Sequence, residues 1–457
     1  MPYDLLIKGK YILSMDDKLT VIKNGFVAVS KNRITAVGTL AEMKGFKAEE
    51  TMDAGNSIVM PGLINTHTHA AMAYFRGLAD DLPLDIWLNQ HIWPAEAKYV
   101  NADFVKQAGE LACLEMLKAG VTSYNDMYFF GQAMVEPAIK SNLRALIGIT
   151  SIDFKDPDIA LREAVELSKQ YKNNEFIKIV LAPHAIYTCS KENLLKIKKT
   201  AETENLRMHI HISETKKEVE DSKKAHGKTP VEYLDELGML SDKLMAAHSV
   251  WLSDNDLEIY KNRGVKVAHC PISNMKLASG AAPLKRMLEM KITVGLGTDG
   301  AASNNTLDLF SDMRACALLH KVYPVKSGEA GVRPVEFASQ PEGIPQGKQF
   351  NGVNNYDPTT ISAKEVVRMA TIDGAKVLGL GEEIGSLEAG KKADIITINL
   401  NKPHLTPIYD PYSHLVYCVN GEDVENVIVN GKVIMKNREV KTLDEKKILK
   451  QANEFNI

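Results

Sequence analysis

Residues 58–69, IVMPGLINTHTH, run an apolar strand straight into two histidines separated by one residue. In an extended segment, residues two apart point to the same side. His67 and His69 therefore present their imidazoles together. Alone, such a pair is a weak signal. Seven further apolar stretches give it weight: VTSY (121–124), RALIGIT (144–150), FIKIVLA (176–182), RMHIHI (207–212), LMAAH (244–248), VKVAH (265–269) and ITVGLG (292–297). Counting IVMPGLIN (58–65), these make eight candidate strands, with helical segments between most of them. In residues 104–117, Phe104, Ala108, Leu111 and Glu115 fall at helical spacing, and Gly120 follows as a stop. Eight alternating units predict an α/β fold, a closed (β/α)8 barrel. An open doubly wound sheet is the alternative, but no G-x-G-x-x-G follows an early strand to support it.

In a parallel barrel all strand carboxyl ends open onto one face, where active sites form. Seven of the 12 histidines fall on or just after the candidate strands. His67 and His69 follow the first, and His184 the fourth. His209 and His211 lie on the fifth, His248 on the sixth and His269 on the seventh. Asp299 follows the eighth in GLGTDG. Joined to His211, His248 and Asp299, the His67–His69 pair becomes a metal site. Three nitrogen ligands and a carboxylate suit one zinc ion with an open position for water. Iron or manganese would bind the same set. His209 reads as a core histidine, because His211 lies nearer the strand's end. His269 is either a ligand or a strand-end hydrogen bonder. Asp299 could instead cap a following helix. His91, His226, His320, His404 and His414 are read as ordinary.

Glu214 leaves the fifth strand beside this presumed metal. A surface glutamate is the ordinary reading. In an enclosed pocket it could exchange protons with a ring nitrogen, with His248 or Asp299 accepting the proton of the attacking water. That is tetrahedral-intermediate chemistry on a C–N bond.

The two ends of the chain differ from the middle. YDLLIKGKYILS (3–14) and FVAVSKNRITAV (26–37) alternate as half-buried strands do, and ADIITINL (393–400) reads as another strand. Asn430-Gly431 between two apolar runs signals a hairpin. Residues 1–59 and 386–457 are therefore read as one small β-sandwich domain built from both termini, and 60–385 as the barrel. Residues 324–358, rich in Gly, Pro, Asn and Gln, read as a loop insertion. It could cover a site, form an oligomer contact or be a surface excursion; a homo-oligomer is left open.

The chain's 457 residues are too many for one ordinary domain, though a barrel absorbs about 250 or more. With 55 Lys and Arg against 58 Asp and Glu, the net charge is -3. This excludes nucleic-acid binding by bulk charge. No run approaches the roughly 18 apolar residues of a membrane span. No basic n-region opens the chain, so no signal peptide is expected. The five cysteines (113, 189, 270, 316 and 418) never form C-x-x-C, which fits a reduced cytoplasm. The expected partner is a small molecule, with neither nucleic acid nor membrane.

The stretches PGLINTHTHAAM (61–72), HIHISET (209–215), AAHSVWLS (246–253), HCPISNMKLASG (269–280) and GLGTDGAASNN (295–305) resemble the amidohydrolase superfamily. More narrowly, they resemble its 5′-methylthioadenosine/S-adenosylhomocysteine deaminases. The similarity spans nearly the whole chain. It implies metal ligands at His67, His69, His211 and Asp299, with Glu214 and His248 as the proton-handling pair. It implies a mononuclear site, since the fourth strand ends in His184 where binuclear relatives carry a bridging lysine; Lys178 lies too early to serve. Trp87 and Glu96 match the family's W-x8-E, which implies that Glu96 accepts hydrogen bonds from ribose hydroxyls and Trp87 flanks the nucleoside. The alternative is a helix-face glutamate and a buried tryptophan. His184 is similarly implied at the purine edge. Ser303 is placed for a base contact or for a helix cap.

One departure concerns the 5′ group. Some members carry arginines shortly after the third strand, suited to the carboxylate of S-adenosylhomocysteine. Residues 145–161 contain none, and Lys155 would be a less specific substitute. This favours 5′-methylthioadenosine, adenosine or 5′-deoxyadenosine. The implied reaction is metal-dependent hydrolytic deamination of the adenine amine. The rivals are a guanine or cytosine deaminase or a triazine hydrolase on the same scaffold, and a noncatalytic assembly protein. The H-x-E with P-C-x-x-C of cytidine-type deaminases and the H-E-x-x-H of metalloproteases are absent.

Overall fold

A computed structural model describes residues 3–43, 47–323 and 357–455. Eight parallel strands follow one another around a barrel: β1 (Leu63–Thr68), β2 (Val121–Tyr128), β3 (Arg144–Ser151), β4 (Ile177–Pro183), β5 (Arg207–Ile212), β6 (Leu244–His248), β7 (Lys266–His269) and β8 (Val294–Leu296). Nearly every strand residue is buried, because helices cover the outside and side chains fill the inside. The backbone ladder runs unbroken from β1 to β8. At the seam between β8 and β1, Thr66 Oγ1 donates to the Leu296 carbonyl at 2.8 Å, and Asp299 N donates to the His67 carbonyl at 3.0 Å. Gly297 makes this approach feasible, since a Cβ there would stand 2.9 Å from His67. The seam thus brings His67 and Asp299 together.

The apolar run 58–65 is not one strand. Ser57–Pro61 belongs to a second sheet, antiparallel to Ile395–Asn399, and the barrel strand starts at Leu63. The break is Gly62, where a Cβ would collide with Thr122 at 2.2 Å. Both halves are fully buried, so hydrophobicity alone cannot separate them.

The second sheet has nine strands, drawn from residues 3–61 and 395–440. Its long first strand pairs with Ala48–Asp53 along one half and with Ser57–Pro61 along the other. Ile7, Val27, Val59, Ile395 and Ile428 pack in a core on this sheet. Asn430 and Gly431 both take positive φ, and Val429 pairs with Lys432, giving the expected tight hairpin. A buried ion pair, Arg144 Nε to Asp394 Oδ2 at 2.6 Å, ties the sheet to the start of β3. The C-terminal segment is not purely β. Glu445–Glu454 is a helix that packs on the barrel helix Ala102–Lys118, with Lys118 Nζ 2.7 Å from Glu445 Oε1. No helix among the described residues is long and apolar enough to cross a membrane. The insertion expected at 324–358 lies almost wholly outside the described residues.

Candidate active site

The strand ends converge as a parallel barrel requires. The ligand atoms of His67, His69 and His211 lie within 4.8 Å of one another, as do those of His67, His248 and Asp299. Asp299 Oδ1 stands 3.3 Å from His67 Nε2 and 3.2 Å from His69 Nε2. His248 (φ 64°) and Asp299 (φ 60°) both occupy the left-handed region, which side chains other than glycine enter at a cost. Such strain persists where surrounding structure imposes it, and it clusters at functional sites.

Three of the imidazoles are held by their far nitrogens. His69 Nδ1 donates to the Met127 carbonyl, and His211 Nδ1 to the His184 carbonyl at 2.7 Å. His248 Nδ1 donates to Asn274 Oδ1 at 2.9 Å. Each bond fixes a tautomer and leaves Nε2 with a lone pair. Asp299 is held likewise. Ser273 Oγ and Ser303 Oγ donate to its Oδ2 at 2.6 and 2.8 Å, which leaves Oδ1 toward the imidazoles.

Electrostatics divide the imidazoles: Asp299 outweighs burial and raises His69 to about 9, so His69 ligates only once a cation displaces that proton. Burial pushes His67 down to about 4 and holds His211 well below its usual range, so both stay neutral and ligand-ready. Burial would push Asp299 up, but His67 and His69 outweigh it and hold the carboxyl well below the usual carboxylate range. Both nitrogens of His67 and Oδ1 of Asp299 are buried without a hydrogen-bond partner. Unpaired buried polar atoms are costly, and one divalent ion would satisfy His67 Nε2 and Asp299 Oδ1 together. The donor set fits such an ion.

Glu214 is 6% exposed, and its Oε2 lies 3.7 Å from His248 Nε2. Ser279 Oγ donates to Oε1 at 3.3 Å. Burial raises the Glu214 carboxyl, with His248 opposing the rise. Beneath it, Glu218 accepts from the Ser213 and Glu214 amides at 2.9 and 2.7 Å and so shapes the turn after β5.

A chamber of about 60 Å³ lies over these groups. Trp87, Glu96 and His184 line it together with His69, Glu214 and Asp299. In a straight α-helix, the nine steps from Trp87 to Glu96 make about two and a half turns and put the two on opposite faces. Here Trp87–Ile92 forms a π turn, with Trp93 N bonded to Leu88 O, and Pro94 follows it. The wider turn slows the rotation, and both residues reach the chamber. Glu96 is 8% exposed and raised by burial, while the positive charge of Lys155 opposes the rise. Lys155 Nζ sits 3.3 Å from the centre of the Phe129 ring. Arg144 is committed to Asp394, so it offers the chamber nothing.

Ser303 does not line the chamber, and its hydroxyl is spent on Asp299. Nor does Asp299 cap the helix that follows, since Gly300 takes that place. His209 is buried against Asn125 (2.9 Å) and edge-on to His67. His269 stands away from the centre and faces His320, itself buried rather than ordinary. The sequence reading missed Ser273 and Asn274. Both follow β7 in HCPISN, and only their position after a strand end marks them.

Comparison with known proteins accords with this geometry. The family model "Amidohydrolase family" matches residues 58–339 and 348–434. A 5-methylthioadenosine/S-adenosylhomocysteine deaminase of Thermodesulfovibrio yellowstonii is 43% identical, over 98% of this chain and 97% of its own. A 5′-deoxyadenosine deaminase of Methanosarcina mazei is 42% identical, over 98% and 96%. The crystal structure of a zinc-bound adenosine deaminase from Xanthomonas campestris superposes with a TM-score of 0.90 at 35% identity, covering 99% of this chain and 98% of that one. A barrel whose strand ends gather these side chains, matched over most of its length, belongs to the amidohydrolase family.

Proposed function

We propose that the protein removes the 6-amino group of adenine nucleosides by hydrolysis, giving the inosine-type product and ammonia. The observation that carries this reading is the Glu214–His248 pair, 3.7 Å apart, set against His67, His69, His211 and Asp299. His67, His69, His211 and Asp299 would hold one divalent ion, of which zinc suits the donors best. When bound, such an ion brings the pKa of water toward neutrality and so supplies hydroxide at neutral pH.

The rest falls to side chains. His248, kept as the Nδ1–H tautomer by Asn274, has Nε2 free to take a proton from the attacking water. Glu214, whose carboxyl burial raises, is the group placed to give a proton to ring N1. Oxygen adds at C6, His248 passes the water's proton to the amine, the C6–N6 bond breaks to release ammonia, and the C6 hydroxyl proton returns to Glu214. Glu96, a buried carboxylate, would accept from the vicinal ribose hydroxyls, with Trp87 beside the sugar and His184 at the purine edge. The chamber of about 60 Å³ is no larger than a few waters. A cavity of about 770 Å³ shares Leu84, Leu88, Trp93, Tyr187 and Leu277 with it. We place the 5′ substituent in that larger space and expect the shared wall to part on binding.

The same proposal covers the chain's division, with 1–59 and 386–457 as one unit and 60–385 as the other, the first boundary moving to Gly62. It also places the protein in the cytoplasm, on its five unpaired cysteines. A panel of adenosine, 5′-methylthioadenosine, 5′-deoxyadenosine, S-adenosylhomocysteine and adenine, with metal content measured on the same sample, tests the reading. Ultraviolet loss with the nucleosides and not with adenine is the expected result. Turnover of free bases or triazines alone would end it.

A further inference from the structure

A second group of metal-ligating side chains lies outside this site. His269 at the end of β7 meets Cys316 and His320 on the helix Leu309–Val322. Their ligand atoms all lie within 4.8 Å of one another, and all three residues are buried. Cys316 and His320 are four apart, so a helix sets them on one face. From this geometry we infer that His269, Cys316 and His320 form a second, structural binding site for a zinc-type transition ion.

The spacing is the first argument. His269 Nε2 and His320 Nε2 are 3.3 Å apart. Two nitrogens bound tetrahedrally to zinc at about 2.0–2.1 Å each stand about 3.3 Å from one another. The His67 and His69 nitrogens keep 3.3 and 3.2 Å from Asp299 Oδ1 in the first site. Donor chemistry is the second. Thiolate with imidazole selects zinc-type ions over magnesium or calcium. Two imidazole nitrogens at this distance can share only one proton, and Cys316 Sγ makes no hydrogen bond among the described residues. Burial holds both imidazoles in the neutral, ligating form. It pushes the thiol up, and only a cation would reverse that. Three protein ligands leave a fourth position for water.

Position suggests the purpose. His269 is followed by Cys270 and then the helix Pro271–Lys276, which delivers Ser273 to Asp299 and Asn274 to His248. An ion bridging β7 and the helix Leu309–Val322 would brace that segment from behind, without touching the substrate chamber.

The experiment uses the full chain, stripped of metal and reloaded with cobalt(II), then with zinc. A thiolate-to-cobalt charge-transfer band in the near ultraviolet is expected in the native protein and in His211→Ala, and absent from Cys316→Ser. Zinc content should show a second equivalent in the native protein, lost in both Cys316→Ser and His320→Gln while the first remains. Deaminase turnover should survive in both variants, with a lower melting temperature that added zinc no longer raises. The native protein needs no variant to give its band, so misfolding of a mutant leaves the test intact. No band in the native protein, or equal zinc content in all forms, would show a hydrogen-bonded histidine pair only and overturn the inference. Because the band is read in His211→Ala, its failure is separate from failure of the deaminase assignment.

Discussion

Asn274 Oδ1 accepts the Nδ1 proton of His248 at 2.9 Å, and this one bond decides which imidazole nitrogen faces Glu214. Asn274→Leu removes the acceptor and keeps the approximate bulk. The ring is then free to populate the other tautomer, and Nε2 no longer offers a lone pair reliably. Such outer partners are typically worth about 10–100-fold in activity or metal affinity. The expected outcome is a kcat reduction in that range with KM and metal content nearly unchanged. Full activity would mean that His248 is oriented by something else.

Glu214→Gln tests the proton donor itself. The amide is isosteric, keeps the Ser279 contact feasible and cannot deliver a carboxyl proton. General acid–base steps contribute about 10²–10⁴-fold, so kcat should fall by that factor while the metal stays bound. Metal analysis alongside steady-state kinetics separates this from loss of the ion.

The sequence leaves the Ser303 hydroxyl open as a base contact or a helix cap, and it bonds Asp299 Oδ2 at 2.8 Å beside Ser273. Ser303→Ala should therefore weaken metal retention, by up to about 10–100-fold, and leave the KM for nucleoside close to normal in saturating metal. A large KM change in saturating metal would restore the base-contact role.

The difference between those two readings shows what sequence could and could not carry. Strand ends were legible because periodic apolar runs stop where histidines begin, and the parallel barrel supplies the convergence. The sequence merges the Ser57–Pro61 strand with the barrel strand because a fully buried run looks alike in either sheet, and only the collision at Gly62 with Thr122 tells them apart. Ser273, Asn274 and His320 act through contacts 26, 26 and 51 residues away in sequence. No local pattern encodes such pairings. Trp87 and Glu96 share a chamber only because a π turn intervenes, which residue spacing on an α-helix would deny.

Glu96→Ala should mainly weaken nucleoside binding. A buried carboxylate on a vicinal diol makes charge-assisted bonds, and a hydrogen bond to a charged group is worth about 1.5–3 kcal/mol. The KM for adenosine should rise about 10- to 100-fold, with a smaller effect on any substrate that lacks ribose. Equal effects on both would move the ribose elsewhere.

The alkaline limb of the rate profile offers a sign test. Glu214 must carry a proton to donate it, so activity is present below its pKa and lost as pH rises through it. Burial raises that pKa; His248 and the Ser279 hydroxyl, both of which favour the charged form, oppose the rise. Ser279→Ala deletes one of those opposing contacts, the donor 3.3 Å from Oε1. The pKa must then go up, and the limb of kcat/KM should move to higher pH. One pKa unit corresponds to about 1.4 kcal/mol, so a lost bond of that size shifts the limb by up to about one unit. The Trp251 indole holds the Ser279 carbonyl at 2.6 Å, which keeps the loop in place after the hydroxyl is gone. A limb that moves downward would assign it to a group other than Glu214.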